Sequence, residues 1–454
     1  MIEVERLSTY QPPRRLCHPI GPWRPVVERT CIDCGLCVDV CPTDVFFYLP
    51  GRRHLAAPRS GRCLGPDRCG ACLKTCPADA ITIEPNPNWA CLGDARWTNE
   101  MIASTWGAAL HGAHSKEDPV NVGAGEVGFD RLGFVVPEGR PTLNPDEVNL
   151  RVFLHSGGRE LWAELPAVGG AISFGTISER VMLARAAGAR SLGTFTTVAE
   201  GACPSALAPY ADSLILQITG RFANVTEEAL ADAAAIELNH AWKPGVMPFH
   251  NVHSLEDLKT QLGWLRLINP QALIIVKINV SANVERVAAG IAHAGAHVVH
   301  LGGAGAREYA IGQVHRYLQA EGLRDQVTLI AGGGVRTPLD VLKAIALGAD
   351  ACAIDTAELV ALGCTRCRTC EEGKDGKGCP CPLGIVSTLP QFASLIDPEW
   401  GAHRIVNMYL AWATEWRRVL ALLNLPDVRL LRGRADLLAW IEPQGRRNIR
   451  RRER

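Results

Sequence analysis

Apolar residues recur along residues 151–395 in eight short runs: Ala171–Phe174, Ser191–Thr194, Ser213–Ile218, Ala235–Leu238, Ala272–Ile278, His297–Leu301, Val327–Ala331 and Ala351–Ile354. Ala-rich amphipathic stretches such as Glu179–Ala187, Val284–Ala294 and Pro338–Leu347 lie between most of them. Short buried runs alternating with helical patterns predict an α/β fold with a parallel sheet. A doubly wound open sheet is the rival, but eight repeats in one stretch favour a (β/α)8 TIM barrel. Residues 396–454 read as helical, because Trp412, Trp416 and Leu420 fall four apart within Ile405–Leu425 and share one helix face. The chain then closes on a basic run, Arg446–Arg454, which reads as a solvated tail. Residues 1–90 differ in kind. They are rich in Cys, Pro and Arg, and the apolar runs Val45–Tyr48 and Ala80–Ile83 each follow a Cys-Pro, as in a small two-fold domain. Residues 91–150 show no clear periodicity and read as a linker packing on the barrel.

Composition narrows the class without naming it. The 454 residues carry 47 acidic and 47 basic side chains, so nothing global favours nucleic acid or a charged membrane surface. No N-terminal run has the apolar core of a signal peptide, and none approaches the ~18 apolar residues of a bilayer span. The expectation is a cytoplasmic protein whose thiols stay reduced and open to metal.

That matters because the chain has 17 cysteines, most of them in two groups. The first reads Cys31-x2-Cys34-x2-Cys37-x3-Cys41-Pro42, then Cys63-x5-Cys69-x2-Cys72-x3-Cys76-Pro77. Such runs hold a cubane with three cysteines while the fourth, before proline, crosses to the other cluster. This assigns Cys31, Cys34, Cys37 and Cys76 to one cluster, and Cys63, Cys69, Cys72 and Cys41 to the other. Zinc sites pair cysteines rather than running them in threes and fours. Disulfides are the other competing use, in a chain too large to need them. The region resembles bacterial two-cluster ferredoxin domains, which implies two [4Fe-4S] clusters. It departs in the longer spacer Leu64–Arg68, where Gly65-Pro66-Asp67 predicts a turn. Cys17, Cys91, Cys203 and Cys352 read as structural or unligated.

The barrel carries its own signals. Val327–Ala331 runs into Gly332-Gly333-Gly334-Val335-Arg336-Thr337, a glycine run opening a helix, which suits a phosphate; Arg336 could pair with it. Gly302-Gly303-Ala304-Gly305 is a second such rim, and a tight turn without ligand is the alternative for both. Lys277 closes a buried strand, a costly place for a lone charge unless it serves a ligand or an ion pair. Gln217, near the end of its own run, is a weaker case. The string Gly123–Gly128 matches a nucleotide fingerprint but follows no strand and opens no helix.

Several motifs together resemble the FMN-binding domain of glutamate synthases. They are Ala171–Ser178, Thr219-Gly220-Arg221-Phe222, Lys243-Pro244-Gly245, His253–Leu258, Val276-Lys277, Val287–Gly290 and Gly333–Thr337, with Phe129–Leu132 before the barrel and Arg434–Leu438 after it. The resemblance implies an FMN site drawing on Ser173, Gln217, Lys277, Gly302, Gly303, Gly333, Gly334 and Arg336. It implies a further cluster after strand eight, in the second cysteine group. By motif, Cys364, Cys370 and Cys381 would hold a [3Fe-4S] cluster. Cys367 and Cys379 are extra and the gap Glu371–Gly378 is long, so Cys367 as a fourth ligand would make it [4Fe-4S]; zinc is the competing reading. The implied activity is electron flow through clusters to FMN and on to an imine such as 2-iminoglutarate, with Lys277 beside the flavin.

The substrate segments depart from the family. Thr197–Ala202, with Glu200, stands for the acidic glycine-rich motif. Asn239, His240 and Trp242 replace the usual lysine and glutamine, and Gly302–Arg307 replaces a glycine-threonine-glycine stretch. Glu200 and His240 are candidate catalytic residues, each with a rim or packing role as the alternative. A glutaminase half would need an N-terminal cysteine, whereas the sequence opens Met1-Ile2, and no NAD(P)-binding unit is evident. The expected partners are an electron-donating flavoprotein subunit or ferredoxin and, for ammonia, solution or an amidotransferase subunit. The competing function is an FMN and iron–sulfur electron-transfer subunit of a larger complex. A non-catalytic relic is disfavoured by the retained cysteines and by Gly332–Thr337.

Overall fold

A computed structural model describes residues 20–49, 51, 54–114, 128–136, 142–155, 161–172, 177–198, 205–218, 226–240, 255–303, 307–368, 370 and 381–441. Eight parallel strands close into a barrel: Ala167–Gly169, Thr196–Val198, Leu214–Ile218, Ala235–His240, Leu273–Asn279, Val298–Gly302, Thr328–Gly332 and Ala351–Ile354, or strands one to eight. Strand eight returns to strand one with Cys352 opposite Ala167. The fold is thus the (β/α)8 barrel expected from the alternation. The strands are near-continuous apolar runs because helices or barrel interior cover both faces.

Two strands sit away from their expected runs. Strand one precedes Ala171–Phe174, of which 173–174 lie outside the described residues. Ser191–Thr194 is a helix terminus rather than a strand. The helix Glu179–Ser191 ends there, Gly193 turns at φ 63°, and the Thr194 amide bonds back to Ala189 O at 2.9 Å. Strand two then begins at Thr196.

The helices that matter to the barrel mouth have explicit starts. Ser178 caps Glu179–Ser191 by accepting from the Val181 amide. Thr337 and Asp340 form a capping box at Pro338–Leu347, with proline at the first turn where its missing N–H costs nothing. The longest helix, Pro398–Leu422, is capped by Asp397 and lays Trp400, Tyr409, Trp412 and Trp416 into the core. Tyr409, Trp412 and Trp416 meet edge to face, with centroids 5.9 and 6.0 Å apart. Trp416 Nε1 donates to Pro338 O at 2.7 Å, fixing the helix that follows the glycine run. Gly401 packs against Ala184, leaving no room for a larger residue. Arg185 donates to Gly170 O (2.6 Å), Thr197 O (3.2 Å) and Glu358 (2.6 Å), and Tyr409 OH donates to Glu358 (2.8 Å). One buried guanidinium thereby ties the ends of strands one and two to the last barrel helix.

The segment read as a linker contains a helix, Asn99–His111, capped by Thr98 and ended by Gly112 at φ 68°. Asn407 Nδ2 donates to the carbonyls of Ala109 (3.2 Å) and Leu110 (3.4 Å), which have no partner within the helix. Its run of Ala, Ser, Thr and Gly gives little hydrophobic periodicity. Leu132–Phe134 pairs antiparallel with Leu438–Trp440, joining the lead-in to the barrel with the end of the described chain.

The N-terminal domain has its own small core of Val45, Phe46, Ile81, Cys37 and Cys72. Strand Trp23–Val27 pairs antiparallel with Ile81–Pro85. Its halves repeat. Gly35 and Gly70 precede the short helices Leu36–Asp39 and Ala71–Thr75, and Asp44 and Asp79 both take positive φ. Among the described residues, no helix is long and apolar enough to cross a membrane.

Truncating Trp416 to alanine removes a fully buried indole and its bond to Pro338, at an expected cost of about 3–5 kcal/mol. Trp416→Phe keeps most of the packing and should cost about 1 kcal/mol for the lost hydrogen bond plus a small cavity term. Chemical denaturation of the two variants checks the order.

Candidate active site

In the N-terminal domain the thiols fall into two quartets that cross the sequence runs. Cys37 is pushed up to about 11 by burial, then by Cys31, Cys34 and Cys76 beside it. Cys72 is likewise pushed up to about 11 by burial, then by Cys63, Cys41 and Cys69. The amides of Val45 and Ala80 donate to the sulfurs of Cys41 (3.2 Å) and Cys76 (3.3 Å), the same bond in each half. The spacer before Cys69 makes a turn, and Gly65, at φ 86°, lies on the Trp23 indole where a Cβ would collide.

The second cysteine group follows the helix Thr356–Ala361, which leaves strand eight. Burial pushes the Cys364 thiol up to about 12; the Arg366 amide and guanidinium oppose this, while the thiols of Cys381 and Cys370 add to it. Cys381 and Cys370 therefore lie close enough to Cys364 to act on its charge, whereas Cys367 is exposed. Cys379 lies outside the described residues. Among the described residues no three His, Cys, Asp or Glu side chains close round a single ion. The grouped thiols fit a larger polynuclear cation. As thiolates in dry surroundings they repel one another, and only concentrated positive charge offsets that.

The loop bearing Cys364 is hooked to the segment that leaves the N-terminal domain. The Gly93 amide donates to Thr365 O at 3.1 Å. Asp94 accepts from the amides of Arg96 (2.8 Å) and Trp97 (2.9 Å) and pairs with Arg366 at 2.9 Å and Arg368 at 3.5 Å. Burial works against its ionisation, but the Trp97 and Arg96 amides and then Arg366 hold the carboxyl below the usual carboxylate range. Arg366 and Arg368 both adopt left-handed backbone, at φ 58° and 63°, a strained choice that this clasp sustains.

Inside the barrel, one carboxylate gathers residues from three other strands. Glu237 on strand four accepts from Gln217 Nε2 on strand three at 2.5 Å and hydrogen-bonds His300 Nδ1 on strand six at 2.6 Å. Lys277 Nζ, on strand five, lies 3.9 Å from it. A bond from strand four to strand six, past strand five, is made across the concave inner face of the closed sheet. Burial opposes ionisation of Glu237, yet the charges of His300 and Lys277 and the bonds from His300 and Gln217 hold it well below the usual range. Gln217 and Lys277 sit in the C-terminal halves of their strands, and Glu237 and His300 near the middle of theirs, below the end where barrel enzymes place their chemistry.

Of the residues expected at the flavin, Gln217 and Lys277 meet in this array. Gly302 lies against Lys277, where a Cβ would come within 2.9 Å of Cε. Gly303 turns at φ 86°, and Gly333 and Gly334 at φ 74°, conformations that favour glycine and leave backbone N–H groups able to face an anion. Arg336 does not face that rim as an open cation. Its guanidinium is buried against Asp130 at 2.5 Å and donates to Arg96 O at 2.9 Å, with Asp340 also close, so the phosphate role read from sequence is taken up by internal carboxylates. Ser173 and Glu200 lie outside the described residues, as does the His240 side chain, although the His240 backbone ends strand four. Glu237 and His300 were not singled out from sequence. Each is a charged or polar residue within a buried parallel strand, the same anomaly that marks Lys277.

Comparison with known proteins fits this geometry. Residues 30–80 match the 4Fe-4S dicluster domain. The archaeal-type glutamate synthase (NADPH) of Thermotoga neapolitana is 30% identical over 496 residues, covering 92% of this chain and 94% of that protein. The corresponding protein of Thermotoga maritima is 29% identical over 490 residues with the same coverage. The archaeal glutamate synthase (NADPH) of Methanocaldococcus jannaschii is 34% identical over 318 residues, 60% of this chain and 61% of that one. Residues 142–246 and 243–425, spanning the barrel and the whole of the long helix, match the conserved region in glutamate synthase, and the chain belongs to the glutamate synthase family.

Proposed function

We propose that this chain is an iron–sulfur flavoprotein that reduces an imine such as 2-iminoglutarate to the amine, using electrons delivered from outside by a flavoprotein subunit or a ferredoxin. The observation that carries this reading is the hooked cysteine trio. Cys364, Cys370 and Cys381 lie just after strand eight, and Asp94 binds their loop to the segment leaving the two cysteine quartets. Cys31, Cys34, Cys37 and Cys76 would hold one [4Fe-4S] cluster, Cys41, Cys63, Cys69 and Cys72 a second, and the trio a third of [3Fe-4S] type. The glycine rims at Gly302–Gly303 and Gly333–Gly334, with Gln217 and Lys277, would hold FMN. When bound, the clusters supply one-electron transfer and FMN supplies a hydride to the imine carbon.

The chain's own residues prepare that chemistry. Lys277 brings a cation to the barrel mouth, where negative charge accumulates on reduction. Glu237 keeps the Lys277 ammonium in place, and Gly302 leaves room for its stem. Gly333 and Gly334, half-buried and at φ 74°, lie just before a capped helix, a setting suited to a phosphate. Glu200 and His240 are the candidates for contact with substrate and for proton donation there.

Anaerobically purified chain, given reductant with 2-oxoglutarate and ammonia, should form glutamate. Flavin reduction without product would instead favour an electron-transfer subunit. Cys76→Ser should remove one [4Fe-4S] signal from the electron paramagnetic resonance spectrum and spare the other, whereas Cys364→Ser should remove the third and abolish electron delivery to flavin. Asp94→Ala releases Arg366 from beside Cys364 and should weaken retention of the third cluster by about 10- to 100-fold, read by iron analysis after chelator challenge.

A further inference from the structure

Electron supply through iron–sulfur clusters leaves a proton deficit. Reducing an imine to an amine takes two electrons and two protons (C=NH + 2e⁻ + 2H⁺ → CH–NH2), and clusters carry only the electrons. If the reading above holds, a proton route must reach the barrel mouth separately from the electron route.

We propose that His300 and Glu237 form a proton-carrying pair beneath the flavin-binding mouth, with His300 moving the proton and Glu237 fixing its ring and balancing its charge. Three observations carry this. First, the pair is dry: the side chains of Glu237 and His300 are 2% and 3% exposed, and Lys277, at 16%, is the member that reaches outward. Second, His300 is oriented. Its Nδ1 is committed to Glu237 at 2.6 Å, which leaves Nε2 to take up and release a proton. That nitrogen lies against Gly332, where any Cβ would collide with it, so the first glycine of the rim is required by the imidazole. Third, the local charge permits the cycle. Glu237 has the Lys277 ammonium 3.9 Å away, and an imidazolium at His300 has the carboxylate as a direct partner. The groups facing the pair are Gln217 from strand three and Lys277 from strand five; strand seven presents Gly332.

Two other buried carboxylates among the described residues are committed elsewhere. Glu358 is held by Arg185 and Tyr409, and Asp340 by Arg336 and the capping box. Glu237 touches neither substrate nor flavin in this scheme and acts as a positioning residue through His300.

The test is stopped-flow reduction of the anaerobic holoprotein in weak buffer, following flavin bleaching and a pH-indicator dye together. FMN and iron contents are measured first. His300→Gln still donates a hydrogen bond to Glu237 but carries no proton; Glu237→Gln keeps one acceptor oxygen for the ring but loses the counter-charge and the second acceptor. His300→Gln should bind FMN and reduce its clusters at the wild-type rate, while proton uptake and flavin bleaching slow together by about 100-fold; Glu237→Gln should show the same joint slowing, scaled to the FMN it retains. Wild-type proton uptake in either variant overturns the relay and leaves the flavin reading standing. Loss of FMN from both variants makes the array a flavin-holding element and also overturns the relay. A wild-type chain that binds no FMN overturns the flavin reading, and the relay falls with it.

Discussion

Thiolates repel one another, and this chain gathers them in threes and fours, each group with a buried member in Cys37, Cys72 or Cys381. The rest of the redox architecture follows from that constraint. Cys37, Cys72 and Cys364 are all driven upward by burial and by neighbouring thiols, so each group calls for a dense positive charge. Segments without regular structure then become positioned parts. The turn before Cys69, the left-handed Arg366 and Arg368, and the Asp94 clasp all serve to hold sulfur atoms where one cation can reach them. The clasp also joins the exit of the N-terminal domain to the edge of the barrel.

The barrel interior solves the converse problem. There a single anion, Glu237, is surrounded by a cation, an imidazole and an amide from three other strands. Isolated, such a carboxylate would lose its charge on burial; surrounded, it keeps it and organises the mouth. The glycines at 302 and 332 are then explained as space for Lys277 and His300. The thiol groups need a cation that no side chain beside them, among the described residues, supplies in full, whereas the carboxylate has its partners built in.

The barrel was legible because a closed parallel sheet buries every strand and so writes eight apolar runs into the chain. Strands one and two were misplaced by a few residues. Strand one is short and ends in glycine, and Ser191–Thr194 is apolar enough to imitate a strand while forming a helix end. The helix Asn99–His111 was hidden by its small residues. The cysteine quartets were legible because cluster ligation fixes spacing along the chain. Glu237 and His300 were not, since their partnership exists only once strands four and six face each other across a closed barrel. Arg336 reads in sequence as a phosphate ligand because Asp130, its partner, is distant along the chain.

The central claim is that electrons enter the barrel through a cluster held by Cys364, Cys370 and Cys381. A redox titration of the anaerobic holoprotein followed by electron paramagnetic resonance tests it most directly. The account predicts a third cluster signal distinct from those of the two N-terminal clusters, with FMN reduced only after that cluster can carry electrons. Two cluster signals alone, with FMN reduced normally, would contradict it.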